Sequence, residues 1–178
     1  IPNEKAKEYL SDFKGTWRRL EYKGKKNVGE SEVIFYDDYG HHPTEITASL
    51  TALRESHPDK KIVCVFEPHQ QSRTKLLFDD FVNALSLADQ VFIAPIYAAR
   101  ETPDPTISNK ILAEAVNKNV PAWPVANVGE LKEKITHSLL PEASRPLSYD
   151  QERDPNTNLC IVLMGAGDIY KWTPEILK

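Results

Sequence analysis

Short apolar runs recur along the chain, each followed by a polar turn and then by apolar residues at helical spacing. Val33-Ile34-Phe35-Tyr36, Lys61 to Phe66, Gln90 to Ile96 and Leu159 to Met164 read as strands, the last three continuous enough for burial on both faces. Val120 to Val125 is a weaker strand, since Pro121 and Pro124 argue against a central place in a sheet. Between the runs lie helical patterns. Ile46, Leu50 and Leu53 mark one. Leu76, Leu77, Phe81, Val82 and Leu85 mark a second, with Ser72 or Thr74 as its cap. A third starts near Ile107 with Ile111, Leu112, Ala115 and Val116 on its apolar face, and a fourth spans Glu130 to Leu139. Gly165-Ala166-Gly167-Asp168 turns the last strand into a final helix. This alternation predicts an α/β fold: an open, doubly wound, mostly parallel, Rossmann-like sheet with right-handed crossovers.

The ends fit less regularly. Trp17, Leu20 and Tyr22 predict a strand, with Lys23 to Gly29 as the turn of a leading antiparallel hairpin. Residues 1–12 are a polar, helix-spaced tail, leaving 13–178 as the main domain. Residues 141–158 are rich in Pro, Asn and charge without periodicity, and predict a long loop, mobile or functional.

At 178 residues the chain is expected to form one domain with a short extra segment. A net charge of −4 gives no footprint for nucleic acid or an anionic membrane. No apolar run approaches membrane-spanning length, and no signal peptide is recognisable. Cys64 and Cys160 sit inside apolar runs and read as reduced core residues, so a cytoplasmic protein is expected. The opening Ile1-Pro2-Asn3-Glu4, without Met, reads as a piece of a longer polypeptide.

The chemistry concentrates after the strands. Asp37-Asp38-Tyr39-Gly40-His41-His42-Pro43-Thr44-Glu45-Ile46 is strand, turn and helix. Pro43 suits a first helical turn and Glu45 the positive end of the helix dipole. Turns that follow parallel strands share one edge of the sheet. Asp38, His41, His69, Arg73, Tyr97, Arg100 and Gly165 to Gly167 are therefore expected to converge, as a site for a polyanionic or zwitterionic ligand. Gly165-Ala166-Gly167 reads equally as a tight turn or as a backbone contact to phosphate or carboxylate. A dinucleotide fingerprint is incomplete there, because position 170 is Tyr and no strand follows.

The string DDYGHHPTEI resembles the C-terminal-domain signature of the Mur ligases, the ATP-dependent amino-acid-adding enzymes of peptidoglycan synthesis. Its Gly-His-His-Pro-Thr form is similar to the alanine-adding branch, with the murein tripeptide-adding branch a near neighbour. Phe13 to Glu21, as Phe-x-Gly-x-x-Arg-Arg-x-Glu, resembles the segment joining the central and C-terminal domains. Phe66 to Thr74 resembles the second family motif; His69 and Arg73 match, while Gln70 stands where an arginine is common. Met164 to Ile169 is similar to the end of the alanine-adding enzymes. The resemblance implies ATP and Mg²⁺ as cofactors, UDP-N-acetylmuramate and L-alanine as substrates, and the N-terminal and central domains of the same polypeptide as partners. It makes residues 1–12 a tail of the central domain. It puts Arg19, Asp38 and His41 on the ATP side, and Tyr39, His42, His69, Arg73, Gly165 and Gly167 on the substrate side. None is a nucleophile, and no metal ligand is implied.

No Gly-x-x-x-x-Gly-Lys-Ser/Thr occurs in the chain, so alone it is expected neither to hydrolyse ATP nor to ligate alanine. Two other classes stay open: a nucleotide- or dinucleotide-binding module of a different enzyme, for which the sheet and Gly-Ala-Gly speak, and a non-catalytic partner-binding domain, for which the 141–158 segment speaks.

Overall fold

The computed structural model describes residues 2–13, 15–28, 31–139 and 158–178. Six strands form one sheet: β1 (Glu21–Val28), β2 (Ser31–Asp38), β3 (Lys61–Phe66), β4 (Gln90–Ile93), β5 (Ala122–Pro124) and β6 (Leu159–Met164). Their order is β1-β2-β6-β3-β4-β5. β1 runs antiparallel to β2, and every other pairing is parallel. Helices are α1 (Asn3–Ser11), α2 (Pro43–Ser56), α3 (Gln71–Leu76), α4 (Phe78–Leu85), α5 (Asn109–Val116), α6 (Val128–Leu139) and α7 (Thr173–Leu177), the last preceded by a 3₁₀ turn at Ile169–Trp172.

The sheet separates two cores, and strand alternation assigns them. Ile62, Cys64 and Phe66 of β3, with Cys160, Val162 and Met164 of β6, pack against α2, α4 and α5 through Leu50, Phe81 and Leu112. Val63 and Val65, with Leu159, Ile161 and Leu163, face Leu131 of α6 and Ile176 of α7. Right-handed crossovers explain the split: the chain winds outward over one face from β2 to β5, then returns over the other to insert β6. The predicted doubly wound, mostly parallel sheet with a leading antiparallel pair is what the structure contains.

Several local expectations are corrected. Lys23 to Val28 is not a hairpin turn but most of β1, an edge strand whose Lys25 pairs with Glu32 at 2.9 Å. Lysines on an edge discourage further pairing but leave no apolar period to read. Of the strand predicted from Trp17, Leu20 and Tyr22, Tyr22 lies in β1, while Trp17 to Leu20 form a turn, with Arg18 and Leu20 at φ 52° and 44°. β4 ends at Ile93 rather than Ile96, just before Pro95, which has no N–H to donate. The helix predicted through Leu76 and Leu85 breaks at Leu77, whose ψ is 28°. Neither Ser72 nor Thr74 caps it: both lie inside α3, and the Thr74 hydroxyl donates to Gln70 O at 2.7 Å. Leu76 and Ile111 face solvent, 82% and 38% exposed. α5 starts two residues later than expected, capped by Ser108, whose Oγ accepts from Ile111 N–H at 3.2 Å. The final helix is a 3₁₀ turn running into a short α-helix. Residues 141–157 of the expected long loop lie outside the described residues.

Candidate functional site

Parallel register lines up the strand ends: Asp38 stands beside Met164, Met164 beside Phe66, and Phe66 beside Ile93. The turns after β2, β6, β3 and β4 therefore occupy one rim, where chain order around β6 reverses, the place an open α/β sheet forms its crevice. Asp38, His69, Arg73 and Gly165 share this edge as expected.

A row of rings crosses the rim. Tyr39 meets His41 edge-on at 5.4 Å between centroids, His41 meets His69 at 5.7 Å, and His69 stacks on Tyr97 at 5.4 Å. His41 is oriented by its backbone: Nδ1–H donates to Tyr39 O at 3.0 Å, and its N–H donates to Glu45 Oε2 at 2.9 Å. Glu45 also accepts from His42 N–H, so it closes the first turn of α2 while the His42 ring accepts from Thr44 N–H at 3.3 Å. The sequence-predicted His42 is thus a helix cap with an exposed ring.

His69 is partly sheltered. Burial, then the nearby His41 and the Arg73 guanidinium, push its pKa down, so the ring is neutral at neutral pH. Its Nδ1 is buried without a partner, and so is Nη1 of Arg73. Gln70 between them takes φ 71° and starts α3 without a side-chain cap. Arg100, at φ 80° in the loop after β4, is exposed.

Asp38 is buried, and both oxygens are engaged by backbone: Oδ1 accepts from Gly40 N–H at 2.5 Å and Oδ2 from Leu20 N–H at 2.8 Å. It ties the 17–20 turn to the rim while keeping spare lone pairs. Gly40 is obligatory there, because an added Cβ would stand 2.7 Å from Asp38 Oδ1 and 3.1 Å from the Met164 methyl.

The two arginines of the 17–20 turn part company. Arg19 is half exposed, 4.0 Å from Glu45 and 5.2 Å over Tyr39. Arg18, to which the sequence assigned no role beside Arg19, is only 2% exposed. Its guanidinium lies over Tyr39 at 5.0 Å, Tyr170 at 4.5 Å and Trp17 at 5.4 Å. It donates through Nη1 to Gly167 O at 3.2 Å and through Nη2 to Gly165 O.

Glu67 was also missed, though an acid directly after the apolar run Ile62 to Phe66 was a readable signal. Its carboxyl sits against the glycine turn from the other side. Burial pushes its pKa up, against hydrogen bonds from the N–H groups of Ile169 and Asp168. Oε2 is buried without a partner. A Cβ on Gly167 would collide with that oxygen, and one on Gly165 would stand 2.8 Å from Glu67 O. Gly165 N–H donates to Asp38 O at 3.2 Å. Of the two readings of Gly-Ala-Gly, the geometry thus supports the tight turn: several of its amides and both glycine carbonyls are spent within the protein.

Fold and rim together define an open α/β domain whose candidate site lies along one edge of its sheet. The comparisons identify the kind. A family profile described as "Mur ligase, glutamate ligase domain" matches residues 18–146, and the chain belongs to that family. It is 46% identical over 173 residues to a UDP-N-acetylmuramate--L-alanine ligase of Desulforapulum autotrophicum, a match covering 97% of this chain and 34% of that protein. Another from Brachyspira hyodysenteriae is 45% identical over 173 residues, covering 97% and 33%. The UDP-N-acetylmuramate-alanine ligase structure from Thermotoga maritima superposes with a TM-score of 0.65 at 25% identity, over 95% of this chain and 31% of that one. A solved domain from a putative UDP-N-acetylmuramate:L-alanyl-gamma-D-glutamyl-medo-diaminopimelate ligase of Haemophilus ducreyi matches with a TM-score of 0.55 at 27% identity, over 89% of this chain and 97% of that domain. The chain spans about a third of the length of the curated relatives it matches.

Proposed function

We propose that this chain is the C-terminal domain of a cytoplasmic UDP-N-acetylmuramate–L-alanine ligase. The N-terminal and central domains of the same polypeptide would complete the site, with residues 1–12 the tail of the central one. α1 within that tail buries none of its side chains in this domain. The observation that carries the reading is that, beside Arg18 Nε and Glu67 Oε2, the rim holds His69 Nδ1 and Arg73 Nη1 buried without partners. Leaving such an atom unpaired costs about 1–3 kcal/mol, which a carboxylate-bearing ligand would recover. Arg73 supplies a fixed charge with a planar fork, and the neutral His69 ring offers both a donor and an acceptor.

ATP, when bound, supplies the phosphoryl group that activates the carboxylate of UDP-N-acetylmuramate. Toward it this chain offers Arg19, free enough to swing, the spare lone pairs of Asp38, and His41. Mg²⁺ would be held mainly by ligands of the preceding domain. Tyr39, His42, His69 and Arg73 line the acceptor side, with Gly165 and Gly167 keeping the rim low beside it. Their work is positioning, which is worth several kcal/mol of barrier when reactants are held in line (~7–11 kcal/mol at the limit).

The test is a chimera. This chain replaces the last third of the Desulforapulum relative, and phosphate release is followed with UDP-N-acetylmuramate and L-alanine. Turnover that requires both supports the reading. A folded chimera that, with UDP-N-acetylmuramate, consumes ATP only when a murein tripeptide replaces L-alanine as the amine substrate sinks it in favour of the tripeptide-adding branch.

A further inference from the structure

The loop after β4 holds the start of α3 through an acid that no motif singles out. Glu101 Oε2 accepts from the backbone N–H groups of Gln71 and Ser72, at 2.6 and 3.1 Å, and the Ser72 hydroxyl donates to Glu101 Oε1. The grip continues on both sides. Asp104 N–H donates to Gln71 Oε1, and Lys75 Nζ donates to Asp104 Oδ2 at 3.1 Å and Thr106 Oγ1 at 2.8 Å. Gln70 N–H donates to Tyr97 O and Tyr97 N–H to Pro68 O, each at 2.8 Å. The loop reaches this shape through two successive non-glycine residues in the left-handed region, Ala99 (φ 47°) and Arg100 (φ 80°), directly before Glu101. Such backbone persists only where surrounding contacts over-determine it.

α3 needs outside support. It has six residues and no side-chain cap of its own, too short to hold its shape unaided. Arg73 lies in its first turn, one residue past the Ser72 that Glu101 grips. His69 stacks on Tyr97, where the same loop begins. One loop therefore sets both members of the unpartnered pair.

We propose that Glu101 is a positioning residue for His69 and Arg73: by fixing the first turn of α3 it sets where the guanidinium stands relative to the imidazole, ready for a carboxylate. The identity of that ligand rests on the ligase reading; the positioning does not. Its charge has a second, separable effect. Glu101 raises the proton affinity of His69, against the lowering by burial, His41 and Arg73.

The experiment is NMR on the isotope-labelled 178-residue chain, with Glu101→Ala, Glu101→Gln and Ser72→Ala variants and N-acetylmuramic acid as the probe. In the unsubstituted chain the probe shifts the His69 ring and Arg73 Nε–H signals together and saturably. Glu101→Ala weakens that binding about tenfold or more, as expected when a fork is misplaced, and increases the mobility of Arg73 Nε–H. Ser72→Ala, which removes one contact and keeps the acid, falls between. Glu101→Gln keeps an oxygen for the two amides and restores Arg73 rigidity and probe binding, while His69 titrates at lower pH than in the unsubstituted chain. Unchanged Arg73 mobility in folded Glu101→Ala, or tighter probe binding by it, overturns the proposal and makes Glu101 a mere surface acid or a competing anion. If the probe fails to shift His69 and Arg73 in the unsubstituted chain, the ligand reading fails instead, and Arg73 mobility across the variants still decides the positioning.

Discussion

Arg18→Ala removes a side chain that spans the 17–20 turn, the ring row and the glycine turn. Arg18 is 2% exposed, and its guanidinium donates to two carbonyls, Gly165 O and Gly167 O. Each carbonyl left unpaired costs about 1–3 kcal/mol, reduced where water enters the vacated space. The stacking over Tyr39 and Tyr170 adds about 0.5–2 kcal/mol. The expected loss is about 3–5 kcal/mol, a large share of the stability of a domain this size. Arg19→Ala is the control one residue away. Its side chain is 52% exposed and its ion pair is 4.0 Å long, so the loss should stay within about 0.5 kcal/mol. Arg18→Lys should fall between, since an ammonium has no fork to reach both carbonyls. Urea titrations followed by tryptophan fluorescence and by circular dichroism measure all three. A loss below about 1 kcal/mol for Arg18→Ala, or equal losses for both arginines, would refute the assignment of Arg18 as the structural clamp.

Glu67→Gln tests the acid beneath the glycine turn. Burial raises the folded-state pKa above the unfolded value near 4.5, so this carboxyl's contribution to stability is present below pH 4.5 and is lost as pH rises through the folded pKa. The variant should match the parent in acid and gain on it toward neutrality, by about 1.4 kcal/mol for each tenfold rise in proton affinity that folding imposes on the carboxyl; denaturant titrations at several pH values would show a flat difference if Glu67 were effectively solvated. Cys64 and Cys160 are both buried, which pushes both thiols up, Cys160 to about 12, so neither should react with a disulfide reagent until the domain opens. Labelling at a rate independent of added urea would contradict that. The chain should bind Mg-ATP only at millimolar concentration, on the order of −4 kcal/mol, and not hydrolyse it; micromolar binding by calorimetry would reveal a nucleotide site of its own.

The fold was legible because its signals are periodic. β3 and β6 are uninterrupted apolar runs, and helical spacing at Ile46, Leu50 and Leu53 marks α2 without ambiguity. Edges were not legible. β1 is stabilised by cross-strand charge, Lys25 to Glu32, in a stretch that reads as a turn. At the rim, sequence order and parallel topology sufficed to gather Asp38, His69 and Arg73. They could not distinguish Arg18 from Arg19, because which of two adjacent arginines is buried depends on left-handed backbone at Arg18 and Leu20 that neither residue type favours. Glu101 was invisible for a similar reason: its partners, Gln71 and Ser72, lie about thirty residues upstream and meet it only through the Ala99-Arg100 bend.

β6 is the last of the described strands in sequence and central in the sheet, hydrogen-bonded to β2 on one side and β3 on the other. On a ribosome, every residue before Leu159 must wait. Until β6 emerges, β2 and β3 face each other across a gap with both inner edges unsatisfied, and the two halves of the sheet have no common ladder. Stalled or proteolysed products ending before Leu159 would therefore present two open, apolar strand edges, templates for pairing with other chains. The same topology makes completion all-or-none, since a single six-residue strand joins the two halves of the ladder and supplies the turn that the arginine clamp and the buried acid then lock. Quality control of this domain is in effect a reading of whether β6 has found its slot between β2 and β3.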